Sequence, residues 1–163
     1  MTEHTEEIGI LTRRKIEAQI IKPIYDILIR ELGKEKAQAI IAEAVANDAV
    51  ESGKAFAKQE SEPTGIESFV ALQYLWEKDD ALQTEVLRSD HEHYDYNVKF
   101  CRYAQMYQQM GLAEIGYLLS CQRDEKFIEG YAPQVKLTRP HTIMNGDGYC
   151  DFRYCLKQGE KTA

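Results

Sequence analysis

Apolar residues recur at three- and four-residue steps through the first eighty positions of the chain, and at two-residue steps from Leu82 onward. The first pattern predicts helices. Between Thr12 and Leu32, Ile16, Ile20, Ile24, Ile27 and Leu28 draw a stripe along one helix, with Thr12 placed to cap its start and Gly33 to stop it. Pro23 falls inside that stripe and is expected to kink the helix or divide it. A second helix spans roughly Lys34 to Lys58, where Ala37, Ile40, Ile41, Ala44, Val45 and Ala49 form a smooth face for close packing. A loop follows at 59–65, then a short third helix marked by Ile66, Phe69, Leu72, Gln73 and Trp76 and closed by Lys78-Asp79-Asp80. These stripes read as core, with a homo-oligomer face as their alternative use.

The second pattern predicts strands. Thr84–Ser89 and Tyr94–Phe100 alternate on either side of Asp90-His91-Glu92-His93, a hairpin turn. A helical pair interrupts them. The first member is Cys101–Met110, with Tyr103, Met106, Tyr107 and Met110 on one face and Gly111 at its end; the second is Glu114–Arg123. Residues 124–133 then lead through a Gly and Pro turn into a strand at Val135. A tight Asn145-Gly146-Asp147-Gly148 turn is expected between a Thr138–Met144 strand and a strand from Cys150. In the first of these, Arg139, His141 and Ile143 would share a face. In the second, Cys150, Phe152 and Tyr154 would share one, with Asp151, Arg153 and Cys155 opposite. Helices first and strands later indicate an α+β fold. The expected architecture is one domain over residues 1–163. Helices over 1–80 pack on an antiparallel sheet of about four strands over 81–163, with the helical pair inserted.

Composition narrows the partners. Among 163 residues, 44% hydrophobic and 29% charged is ordinary for a globular protein, and a net charge of −7 argues against non-specific nucleic-acid binding. No apolar run is long enough to span a membrane, and the start, Met-Thr-Glu-His-Thr-Glu-Glu, is unlike a secretion signal. A cytoplasmic location is therefore expected. There Cys101, Cys121, Cys150 and Cys155 stay reduced, each as core thiol, ligand or nucleophile.

Phosphate-binding glycine loops, a GxSxG elbow and CxxC pairs are all missing, and the Asn-Gly-Asp-Gly turn lacks the acidic positions that a calcium loop requires. What remains is thiol and carboxylate chemistry. Cys150 falls near Arg139 and His141 if the last hairpin pairs around its turn, and a neighbouring cation or base is what activates a cysteine. Asp147 or Asp151 is placed to orient the imidazole or activate water. Cys121, with Asp124 three residues on, is a second candidate pair. His91 and His93 would share a strand face with Asp95, which invites a metal reading but lacks a third strong ligand.

Ordered blocks then carry a resemblance. They are Cys101-Arg102-Tyr103-Ala104, Gly111-Leu112-Ala113-Glu114, Leu119-Ser120-Cys121 with Asp124, and Ile128-Glu129-Gly130-Tyr131-Ala132-Pro133. Leu137-Thr138-Arg139, Thr142-Ile143-Met144, Gly146 and Cys150-Asp151-Phe152-Arg153-Tyr154 complete the series. Over about residues 98–155 the chain resembles the L-2-amino-thiazoline-4-carboxylic acid hydrolase family. The resemblance implies ring-opening hydrolysis of a small cyclic amidine, thiazoline or lactam-like heterocycle, with water adding at the amidine carbon and no cofactor. It implies Arg139 or Arg153 on a substrate carboxylate, Asp147 or Asp151 on the amidinium or on water, and Cys150 or Cys121 as nucleophile in a covalent version. Asp124 and His141 complete the catalytic candidates, and Thr142 and Glu129 the substrate-binding ones. Pro140-His141 and Tyr131-Ala132 depart from the family pattern, so His141 is expected to tune substrate choice. A non-catalytic binding or sensing domain and a metal-dependent hydrolase are the competing readings.

Overall fold

The computed structural model describes residues 8–158, so the acidic start of the chain lies outside the described residues. Helix α1 runs Ile10–Leu32 and begins two residues before Thr12: the Gly9 carbonyl accepts the Arg13 N–H at 3.2 Å, which puts Thr12 inside the first turn. The helix continues unbroken through Pro23, held on both sides by buried Ala18 and Tyr25. A lost N–H removes one bond, and burial on either flank outweighs it. Gly33, at φ +84°, turns the chain into α2, Lys34–Ala57.

The isoleucine stripe of α1 is not core. The face turned inward carries Ile10, Arg14, Ala18 and Tyr25, whereas Ile16, Ile20, Ile24 and Ile27 are 55%, 61%, 45% and 48% exposed. Tertiary packing has selected the face with the small alanine and the hydrogen-bonding tyrosine. The expected smooth face of α2 does pack, through Ala37, Ile41, Val45 and Ala49.

Helices α3 (Ile66–Leu72) and α4 (Tyr74–Glu77) lead to the sheet: β1 Leu82–Ser89, β2 His93–Cys101, β3 Val135–Thr138 and β4 Cys150–Leu156. All pairs are antiparallel, in the order β1-β2-β4-β3. The α+β architecture with an inserted helical pair is thus present. Helix α5, Arg102–Gln109, is the first of that pair. The second extends further than its sequence suggests, because α6 spans Gln122–Tyr131 and buries Phe127, Ile128 and Tyr131. Gly130 does not break it. It lets α6 cross α2 at Gly53, where a Cβ on Gly53 would stand 2.2 Å from the Phe127 carbonyl oxygen and one on Gly130 2.1 Å from that of Val50. Two hydrophobic clusters result: one among the helices, one between the sheet's inner face and α3 and α6. Phe56, Trp76, Leu82 and Cys101 join them.

The last hairpin also differs. Its register, Thr138 opposite Arg153, centres on Asn145 and Gly146, but β3 stops at Thr138. Pro140 cannot donate to a ladder. Residues 139–149 form a loop instead, in which the Thr142 carbonyl accepts the Asn145 and Asp147 N–H groups and Gly146 sits at φ +96°. Arg139, His141 and Ile143 therefore do not share a strand face. His91 lies in the β1–β2 turn rather than in β2, so it shares no strand face with His93 and Asp95 either.

Candidate functional site

A cavity of about 50 Å³ lies between the inner face of the sheet, α3, α4 and the start of α6. The two-residue period of β2 and β4 turns Tyr96, Val98, Cys150, Phe152 and Tyr154 toward it, while α3 and α4 add Phe69 and Trp76. Ahead of α6, a π-helical turn over Tyr117–Cys121 brings Ser120 and Cys121 to the wall, and α6 adds Asp124 and Phe127. The 139–149 loop closes the lining with Arg139 and Met144. Met144 lies against Gly116, where a Cβ would stand 2.7 Å from its sulfur.

The charged feature of this aromatic chamber is one ion pair. Arg139 Nη1 donates to Asp124 Oδ2 and Nη2 donates to the Cys121 carbonyl at 2.9 Å. The guanidinium lies 4.8 Å from the Phe152 ring centroid and 6.0 Å from that of Tyr117. Its Nε–H is buried without a partner, and the side chain is only 4% exposed. Burial works against the charge of Arg139, but the Asp124 carboxylate outweighs it and the guanidinium stays charged. Burial likewise pushes the Asp124 carboxyl above the usual carboxylate range, with Arg139 opposing.

Three thiols face the same space: Cys101, Cys121 and Cys150. Burial raises all of them, Cys150 to about 11 even though its sulfur accepts the Ile143 N–H at 3.3 Å, and Cys121 further. With their pKa values raised they are neutral at pH 7, the opposite of an activated nucleophile.

Of the residues predicted from sequence, the cavity gathers Cys121, Asp124, Arg139 and Cys150. Others sit elsewhere. His141 Nδ1 lies 2.8 Å from Asp151 Oδ2, and its backbone N–H donates to Asp151 Oδ1 at 2.8 Å, with the ring stacked on Tyr149. Both belong to the sheet's outer side, where Arg153 donates to the Tyr96 and Phe152 carbonyls and to Asn97 Oδ1. Asp147 accepts the Thr142 N–H at 2.9 Å, and Thr142 Oγ1 accepts the Asn145 N–H at 3.2 Å, so both shape the loop. Glu129 pairs with Lys126 in an exposed contact on α6. Sequence reasoning passed over Phe69, Gln73, Trp76, Tyr96, Tyr103 and Ser120. Inward alternation along β2 was the available signal for Tyr96. Among the described residues no three His, Cys, Asp or Glu side chains are grouped as a metal would need.

A family model described as L-2-amino-thiazoline-4-carboxylic acid hydrolase matches residues 13–154. The search of curated proteins finds no match. Among solved structures, the chain is similar to the phenol-responsive sensory domain of the transcription activator PoxR, solved with phenol. The TM-score is 0.52 at 12% identity, covering 90% of this chain and 76% of that one. At that identity the likeness is one of fold.

Proposed function

Because the chain belongs to the L-2-amino-thiazoline-4-carboxylic acid hydrolase family, we propose that its cavity takes a small ring compound bearing an anionic group and opens the ring by adding water. The observation that carries this reading is Arg139, a buried cation among the residues lining an aromatic chamber, whose Nε–H has no partner. Leaving a donor without an acceptor is costly, and a ligand carboxylate would satisfy it with a charge-assisted bond. Phe69, Trp76 and Phe152 supply flat walls for the ring.

For a cyclic amidine such as an aminothiazoline, the water oxygen bonds to the carbon between sulfur and nitrogen. One water proton passes to the ring nitrogen. The tetrahedral adduct then collapses: the C–S bond breaks, the hydroxyl proton moves to sulfur, and a ureido thiol results. Asp124 is suited to carry both protons. Its raised pKa makes it a better base than an exposed carboxylate, and its place beside Arg139 keeps it next to the anchored ligand. The neutral thiols serve as walls and weak donors in this scheme, so no covalent intermediate is needed.

The test is thiol release from L-2-amino-thiazoline-4-carboxylate, with and without a strong chelator. Asp124→Asn should cut kcat by about 100-fold or more, Arg139→Lys should act mainly on KM, and Cys150→Ser and Cys121→Ser should keep most turnover. Full activity of Asp124→Asn would remove the proton-carrying role, and inhibition by the chelator would favour metal-dependent hydrolysis.

The apolar walls of the chamber, Phe69, Trp76, Tyr96 and Phe152, also suit a second reading, a binding or sensing domain in the same pocket, in keeping with the fold it shares with a phenol-responsive domain. Saturable binding of ring carboxylates without turnover would decide for it.

A further inference from the structure

We propose that α1 pairs with the α1 of a second copy of this chain, antiparallel across a two-fold axis. The contact runs along Ile16, Ile20, Ile24 and Ile27, a line whose steps of four, four and three match the seam of a two-helix contact. None of the four is buried in its own chain, their exposures lying between 45% and 61%. Together they present on the order of 400 Å² of apolar surface, about half of the roughly 800 Å² that each partner brings to a standard interface. In the proposed dimer the flanking surface of α1 would supply the remainder. A groove beside the line, lined by Ile20, Ile21, Ile41 and Val45 and bordered by Asp48 and Arg123, offers a hole for an apolar knob.

Charge fixes the direction. On a helical wheel Arg13 and Glu31 fall on the isoleucine face, one at each end of the line; Glu31 already accepts from Arg30 Nε of its own chain at 2.7 Å, and Arg13 of the other copy would join that pair. An antiparallel pair crossing near Lys22 sets Arg13 of each copy against Glu31 of the other, and Ile20 against Ile24. A parallel pair would oppose like charges at both ends. A two-fold axis also closes the contact, leaving no free apolar face to propagate.

Sedimentation equilibrium of the full chain over a wide dilution series tests this. The expected mass is twice the 18.8 kDa of one chain. Ile20→Asp should weaken self-association by about 100-fold or more, since a two-fold counts each change twice, with unchanged circular dichroism showing that the exposed substitution leaves the fold intact. Arg13→Glu should weaken the dimer and Arg13→Glu with Glu31→Arg should restore it. A monomer at all concentrations overturns the proposal, as does a dimer indifferent to Ile20→Asp. A dimer that the double reversal fails to rescue overturns the antiparallel arrangement.

Discussion

Arg139 and Asp124 depend on each other more than the fold depends on the pair. Removing one partner strands a buried charge, whereas removing both leaves an apolar wall. Arg139→Met should therefore cost about 3–5 kcal/mol in urea unfolding, and adding Asp124→Leu should return most of it; equal losses in the single and double variants would contradict this. His141 and Asp151 make a different kind of pair. The hydrogen bond to Asp151 raises His141; burial acts to raise Asp151, but the His141 ring and backbone N–H hold it below its usual value. The His141 share of stability is complete below about pH 6.5, its ordinary value, and fades as pH rises through the raised folded value. The Asp151 share is complete above about pH 4 and fades as pH falls through the depressed folded value. The stability difference between wild type and His141→Gln should thus peak between those limits, which unfolding midpoints across pH would show. Cys121, Asp124, Arg139 and Cys150 were legible because reactive types stood in ordered blocks. Phe69 and Trp76 were not, since aromatics at helical spacing read as core whether the space behind them is filled or hollow.

At the scale of elements, the α2–α6 crossing is the tightest joint, and glycines define it. Gly53→Ala or Gly130→Ala should each lower stability by about 1–3 kcal/mol through overpacking against backbone. Gly33→Ala meets no atom within 4 Å yet sits at φ +84° and ψ 161°, a region that suits glycine almost alone, so its cost should be about 1–3 kcal/mol and come from backbone strain. Thermal unfolding of the three variants would read these losses, and unchanged stability in any of them would contradict the cause given for it. Helix α2, the β1–β2 hairpin and the start of β3 were readable because their period is long and consistent. The end of α6 was hidden by Gly130, which reads as a stop until α2 supplies the backbone it fits against. The last hairpin was overread for a related reason: Asn-Gly-Asp-Gly has the right turn chemistry and nearly the right centre. One proline five residues earlier kept the ladder from reaching it.

Across the whole molecule, the face of α1 was the largest misreading. Periodicity reports that a helix has an apolar side, and α1 has two; only the packed structure shows which is inward. No described helix is long and apolar enough to cross a membrane. The two hydrophobic clusters are tied along the chain by the segment from Ala113 to Tyr131, with Ile115 and Leu119 in the first and Phe127, Ile128 and Tyr131 in the second. The π-helical turn at Tyr117–Cys121, which carries Leu119 itself, is where the segment passes from the first to the second. A turn widened by one residue sets everything after it back by about 100° of helical phase. The turn thus works as a vernier: it lets one rod meet the first core at one angle and then present Asp124 to the cavity and Gly130 to α2 at another. Deleting Ser120, which belongs to neither cluster, would put the two halves of the protein out of step.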